Sequence, residues 1–304
     1  MHEKDETKLK ILALLFCILS GIGITKIGLD LYEIYHYAPP IRATWVWDAN
    51  VIVEEREKLL SFADEQKVNL IYLYFDRKLP PEDYRSFIKE ASLKGIEIDA
   101  LGGEPEWALT SHQERLDEFA DRVSDFNANA GETERFSGIH LDIEPYQLPD
   151  WKRNTKSIIE QWTSNVTHLR HIISPDDRLA ISADLPFWLD QYSVAGSHGP
   201  VPLSRWMMQQ YDHVTFMAYR NYAYGKNGIL DILRPEIRWA NEDGSKFIVG
   251  VETKSTEEPH VTFHQEGQAK LVSEIGIVNR ALRKAPAYLG YAVHQYGSWI
   301  KLDK

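Results

Sequence analysis

The stretch from Ser137 to Tyr146, SGIHLDIEPY, places His140, Asp142 and Glu144 at every second position, with Ile139, Leu141 and Ile143 between them. In an extended strand alternate side chains share a face, so this spacing aims an imidazole and two carboxyls one way and three aliphatic groups the other. Burying so many ionisable groups is costly unless they are paired or hydrogen-bonded, and a functional site is the usual reason a sequence tolerates it. Two carboxyls this close titrate as a coupled pair, one pushed up while the other stays ionised. A carboxyl that keeps its proton near neutral pH suits general acid catalysis, with Glu144 as the acid and Asp142 as the neighbouring charge. A structural polar network at the heart of a barrel is the competing account of the same residues.

The elements that must position these groups alternate along the chain. Strand-like apolar runs fall at 43–47, 69–75, 96–101, 138–143, 179–183, 214–218, 247–251 and 288–293. Helix-like stretches lie between them at 54–66, 81–94, 113–129, 151–173 and 265–284, the second opening on a proline. This order predicts an α/β fold, a single (β/α)₈ TIM barrel over residues 43–304. A doubly wound open sheet would carry a glycine-rich phosphate turn after its first strand, where Trp47-Asp48-Ala49-Asn50 stands instead.

In such barrels chemistry gathers at the C-terminal strand ends. Those ends carry Trp45 and Trp47, Asp76, the Gly102-Gly103-Glu104 turn, Asp142 and Glu144, and Asp184 with Trp188. Further along come Met217, Tyr219 and Arg220, then Glu252, then His294 and Trp299. Carboxylates, hydrogen-bonding groups and flat aromatic faces on one rim suit a polyhydroxylated substrate.

The fourth-strand run resembles the D-G-x-D-x-D-x-E signature of glycoside hydrolase family 18, the chitinase-like barrels. Gly138 matches, Asp142 aligns with the carboxylate that orients the substrate's acetamido group, and Glu144 aligns with the proton donor. Phe216-Met217-Ala218-Tyr219 resembles the sixth-strand M-x-Y-D motif, whose Tyr hydrogen-bonds the acetamido carbonyl. The resemblance implies a glycosidase with Tyr219 positioning the sugar and Trp299 as its aromatic floor. Ser137 and His140 stand where the signature has its first two aspartates, and Arg220 replaces the aspartate after the sixth-strand Tyr. Trp45, Trp47 and Trp188 offer further stacking faces, with Asp76, His140, Arg220 and His294 as support.

Other readings use the same residues. Glu252, ending the run IVGVETK, resembles the nucleophile of clan A retaining glycosidases, with Glu144 as their acid/base. That arrangement needs the two carboxyls about 5–5.5 Å apart. A catalytically silent glycan-binding barrel also fits a signature that has lost acids. His140, Asp142, Glu252 and His294 supply N and O donors for a metal, but no H-x-H or other compact ligand motif accompanies them, so neither metal nor cofactor is expected.

The formal net charge is −11 and no long Lys/Arg run occurs, which argues against a nucleic-acid partner. A lone cysteine, Cys17, excludes an intrachain disulfide. It sits in the most apolar run of the chain, 11–25, behind Lys4, Lys8 and Lys10. A basic flank and an apolar core of this length predict an export signal or membrane anchor over residues 1–29, spanning the bilayer through 11–29. Phe16 before Cys17 argues against a lipoprotein cysteine. Residues 30–42, stiffened by Pro39-Pro40, form a connector, so the barrel is expected outside the cytoplasm, membrane-anchored or secreted, acting on a polysaccharide or cell-envelope glycan.

Overall fold

The computed structural model describes residues 40–173, 179–197 and 199–303. Eight parallel strands close into a barrel: β1 Ile41–Val46, β2 Leu70–Tyr74, β3 Glu97–Gly102, β4 Gly138–Leu141, β5 Ala180–Pro186, β6 His213–Met217, β7 Phe247–Glu252 and β8 Tyr288–His294. Each pairs with its successor, and β1 closes on β8 through Ile41 opposite Gly290. A helix follows every strand: α1 Arg56–Gln66, α2 Pro81–Leu93, α3 Gln113–Ala128, α4 Trp151–Ile172, α5 Leu203–Met208, α6 Arg234–Asp243, α7 Gly267–Leu282 and α8 Tyr296–Trp299. The expected (β/α)₈ order is thus observed. The expected signal or anchor segment, and the connector as far as residue 39, lie outside the described residues.

The helices form where the apolar period is 3.6. Leu116, Phe119, Ala120 and Val123 make one buried stripe on α3. Pro81 opens α2, where its missing N–H leaves no bond unmade. Gly244, in the left-handed region at φ 76°, ends α6. Between β5 and the short α5 the chain inserts a hairpin, Ser193–Gly196 paired with Gly199–Pro202.

The main core lies between the strands and the helices. A second apolar cluster fills part of the barrel's interior with Ala43, Trp45, Leu70, Tyr72, Leu101, Ile248 and Ala292. The rest of the interior is polar: His140, Ser182, Asp184, His213 and Thr215 are all buried on the β4–β6 side. That polar sector leads up to the mouth.

At the mouth, strand β4 ends earlier than its sequence pattern suggests. Pairing stops at Leu141, and a 3₁₀ turn at Pro145–Gln147 takes over, with Glu144 at φ −112°, ψ 71°. Proline carries no N–H for a ladder, so the strand cannot run through position 145. The last tie is Asp142 N donating to Gly102 O at 3.0 Å. Gly103 permits that closeness, because a Cβ there would lie 2.0 Å from the Asp142 carbonyl oxygen. The glycine after β3 therefore sets the position of Asp142.

Candidate active site

Asp142 and Asp184 stand side by side. Leu141 pairs with Ala183 across β4 and β5, and each aspartate follows its partner by one residue on the inner face. Trp45 Nε1 donates to Asp184 Oδ2 at 2.8 Å. His140 Nε2 lies 3.0 Å from the same oxygen, close but not aligned as a hydrogen bond. His140 Nδ1 is 2.7 Å from Ser182 Oγ, and its ring stacks on Tyr72 at 3.5 Å between centroids. Tyr72 in turn reaches Thr215 Oγ1 at 3.0 Å. Burial holds the His140 pKa well below the ordinary imidazole range, so the ring is neutral. Burial, then the charges of Asp184 and Glu144, raise Asp142 well above the usual carboxylate range, and burial raises Asp184 likewise.

Glu144 sits at the head of the 3₁₀ turn and accepts hydrogen bonds from Tyr146 Oη and Gln147 Nε2, one on each oxygen. Burial raises its pKa, and the Tyr146 hydrogen bond opposes that by favouring the carboxylate. Burial also pushes the Tyr146 hydroxyl far above its ordinary range, so it remains a donor. Tyr219, just beyond β6, feels all four carboxylates of the mouth: after burial, the charges of Glu252, Asp184, Asp142 and Glu144 each push its hydroxyl up. Its ring lies 6.1 Å from that of His294. Arg220 holds the Tyr219 backbone, donating to Tyr219 O at 2.6 Å and Asn227 O at 3.1 Å, and lies over Phe187 at 5.1 Å. The cation standing in place of the signature's aspartate thus fastens the loop that carries the tyrosine.

Both oxygens of Glu252 are engaged. Its Oε1 accepts the N–H groups of Thr253 at 2.8 Å and Lys254 at 2.7 Å, and its Oε2 lies 2.9 Å from His294 Nδ1. Trp47 Nε1 reaches His294 Nε2 at 3.1 Å. An indole N–H can only donate, so Nε2 carries a lone pair and Nδ1 carries the hydrogen given to Glu252. Trp47, His294 and Glu252 thus form one directed chain along the β8–β1 side of the mouth.

Several positions expected at the rim lie elsewhere. Trp45 is 1% exposed; its indole is spent on Asp184 and packed on Tyr72, so it supports the site and offers no stacking face. Trp299 is 3% exposed, bonded to Gln268 Oε1 at 2.9 Å and set against Phe62 of α1 at 5.1 Å. One short turn of α8 carries it outside the barrel wall, so it is not the floor of the mouth. His140 is fully buried beneath the aspartates. Asp76 caps its own turn, accepting from Lys78 N at 2.9 Å, and lines a 610 Å³ side cleft with Tyr74, Gly103 and Trp107. Trp188 is half-buried against Tyr146 at 4.9 Å, which puts an aromatic edge beside Glu144. Met217 and Trp47 are half-buried at the strand ends. A larger groove, 990 Å³, runs outside the barrel between α4 and the hairpin, away from the carboxylates.

The sequence places Asp184 on the rim without a role, yet Ser182 and Asp184 repeat on β5 the alternating polar pattern that singled out His140 and Asp142 on β4. That repetition was the available signal. Tyr146, the donor to Glu144, had none.

A scan against protein-family models and a search of curated proteins returned no match. Solved structures do match in fold. A GH18 chitinase, ChiB, from Flavobacterium johnsoniae is 13% identical with a TM-score of 0.52, covering 86% of this chain and 89% of its own. A GH18 chitinase from Cycas revoluta in complex with (GlcNAc)3 is 12% identical with a TM-score of 0.53, covering 86% and 96%. The Bacillus megaterium spore cortex-lytic enzyme SleL is 12% identical with a TM-score of 0.51, covering 86% and 73%. The barrel fold is the one these solved family 18 barrels share.

Proposed function

We propose that this barrel, built like those of family 18 chitinases, hydrolyses glycosidic bonds in a glycan containing N-acetylated sugars. The observation that carries the reading is the meeting of Glu144, Asp142 and Tyr219 at one mouth, on a fold whose solved examples include a chitinase bound to (GlcNAc)3. Glu144 delivers its proton to the leaving glycosidic oxygen. As that C–O bond breaks, the acetamido oxygen of the substrate bonds to the anomeric carbon, so no protein nucleophile is needed. Asp142 takes the acetamido N–H and balances the developing positive charge, while the Tyr219 hydroxyl holds the acetamido carbonyl. Water then attacks the anomeric carbon, Glu144 recovers the proton, and the acetamido group is released. Trp47 and Trp188 flank the sugar.

The engagement of both Glu252 oxygens favours this route over one in which Glu252 attacks the sugar: a nucleophile needs a lone pair facing the anomeric carbon, and three donors already occupy this carboxylate. The test is hydrolysis of N-acetylchitooligosaccharides. Glu144→Gln keeps the shape without the proton and should lower the rate by roughly two to four decades. Activated aryl glycosides should lose less, because their leaving groups depart with little protonation. Wild-type binding of the oligosaccharides without turnover, unchanged in Glu144→Gln, would establish a silent glycan-binding barrel instead.

We further propose that residues 11–29 hold the barrel at the outer face of a membrane, on the strength of the apolar run and its basic flank. Full-length protein should fractionate with membranes, and a chain beginning at Pro40 should not. Full-length protein recovered in the cytosolic fraction would end that assignment.

A further inference from the structure

Two oxygens at the heart of the site lack partners among the described residues: Oδ1 of Asp142 and Oδ1 of Asp184, both buried. The other oxygen of Asp184 already has Trp45 Nε1 at 2.8 Å and His140 Nε2 at 3.0 Å. The aspartates are lateral neighbours, one residue past the Leu141–Ala183 pair, on strands spaced about 4.8 Å apart. Two ionised carboxylates there would each face a like charge in a poorly solvated place. The titratable groups around them are Tyr72 from β2, His140, Glu144 and Tyr146 from β4 and its turn, Tyr219 after β6, and His294 ending β8. None is a lysine or arginine, His140 is neutral, and His294, which opposes the rise at Asp184, is bonded to Glu252 and to neither aspartate.

We propose that Asp184 is a positioning residue of the catalytic centre, sharing one proton with Asp142 between their two unpartnered oxygens so that the pair carries a single negative charge. The shared proton satisfies both orphaned oxygens at once. It also accounts for His140: the imidazole standing where the family signature has an aspartate supplies no carboxyl, and the second carboxyl comes from the next strand instead. Trp45 fixes the other oxygen of Asp184 through its Nε1 hydrogen bond, with His140 Nε2 close by but not aligned to it, which leaves Oδ1 for Asp142. When Asp142 engages the substrate's acetamido N–H, the shared proton stays on Asp184 Oδ1 and Asp142 bears the full charge. When the product leaves, the proton is shared again, with no net gain or loss. This role rests on the proposed hydrolysis; the shared proton itself does not.

The experiment is carboxyl-carbon NMR on full-length protein labelled at aspartate, titrated across neutral pH, with Asp142→Asn, Asp184→Asn and an Asp99→Asn control. The control is needed because Asp99, buried on β3, also holds its proton to about 8. The expected result is that Asp142 and Asp184 titrate together, with one proton retained at pH 7, and that replacing either returns the other to a single titration at lower pH. Either variant reports on the pair, so a folding failure in one leaves the other to decide. Independent titration of both in the ordinary carboxylate range, or an Asp142 titration unmoved in Asp184→Asn, overturns the proposal. With 4-nitrophenyl N,N′-diacetylchitobioside as the probe, Asp184→Asn should move the acidic limb of kcat up, because Asp142 then ionises with no partner to share its proton, with KM within about twofold. A fall in kcat with an unmoved limb would mean a merely structural Asp184. A wild-type protein that leaves the probe intact counts against the glycosidase reading alone, since the NMR titration still decides the shared proton.

Discussion

Replacing Tyr146 with Phe removes the hydroxyl that donates to Glu144 Oε1 and leaves the ring that packs on Trp188 at 4.9 Å. The lost bond is one to a charged acceptor, and such bonds contribute about 1.5–3 kcal/mol when shielded from water. Glu144 is half-buried, so solvent screening takes the figure to the lower end, about 1.4 kcal/mol, equivalent to a tenfold change in protonation. The sign follows from which form the bond favours. Tyr146 stabilises the carboxylate, so its removal makes Glu144 hold its proton to higher pH. A general acid works only while protonated, so activity is lost as pH rises through its pKa, and that basic limb should move up by about one pH unit in Tyr146→Phe. Well above the limb the variant should keep about ten times more of its plateau rate than the wild type keeps. The plateau itself should fall modestly, since Gln147 Nε2 still holds the other oxygen. The assay is the pH dependence of kcat on a chitooligosaccharide with an unactivated leaving group. A basic limb that stays in place or moves down would refute the assignment of Glu144 as the acid, or of Tyr146 as the donor that tunes it.

Two further expectations concern other carboxylates. Glu252→Gln should keep measurable turnover, with KM raised more than kcat is lowered, because Glu252 positions His294 and Trp47; added azide should yield no glycosyl azide, and azide rescue of a dead variant would identify a nucleophile. Asp99, enclosed on β3 by the close approach of Gly138, has its pKa raised to about 8 by burial and then by the Glu97 charge. The folded state therefore binds a proton that the unfolded chain has released between about pH 4 and pH 8, and stability falls as pH rises across that window. Asp99→Asn should change stability little at pH 4 and stabilise increasingly up to about pH 8, by denaturant titration at several pH values; an advantage that shrinks as pH rises would contradict the buried, protonated Asp99.

The barrel and the strand that leads into Asp142 and Glu144 were legible from residue order, because both rest on local regularities. Eight apolar runs at even spacing leave few topologies, and alternation along IHLDIE puts Asp142 on the lumen side whatever the neighbours are. Other features depend on contacts between residues far apart in the chain. That Asp184 stands beside Asp142 is a matter of register between β4 and β5, forty-two residues away, and a strand's own pattern says nothing about which residue its neighbour brings alongside. Trp45 and Trp299 read as rim aromatics by position, but one indole is turned into the lumen by Asp184 and the other is carried behind the wall by a single turn of helix. Glu252 looks as catalytic as Glu144 in sequence. The difference lies in their partners: Glu252 meets two backbone N–H groups and an imidazole, while Glu144 meets two side chains of its own short turn, and only the folded chain assigns those hydrogen bonds.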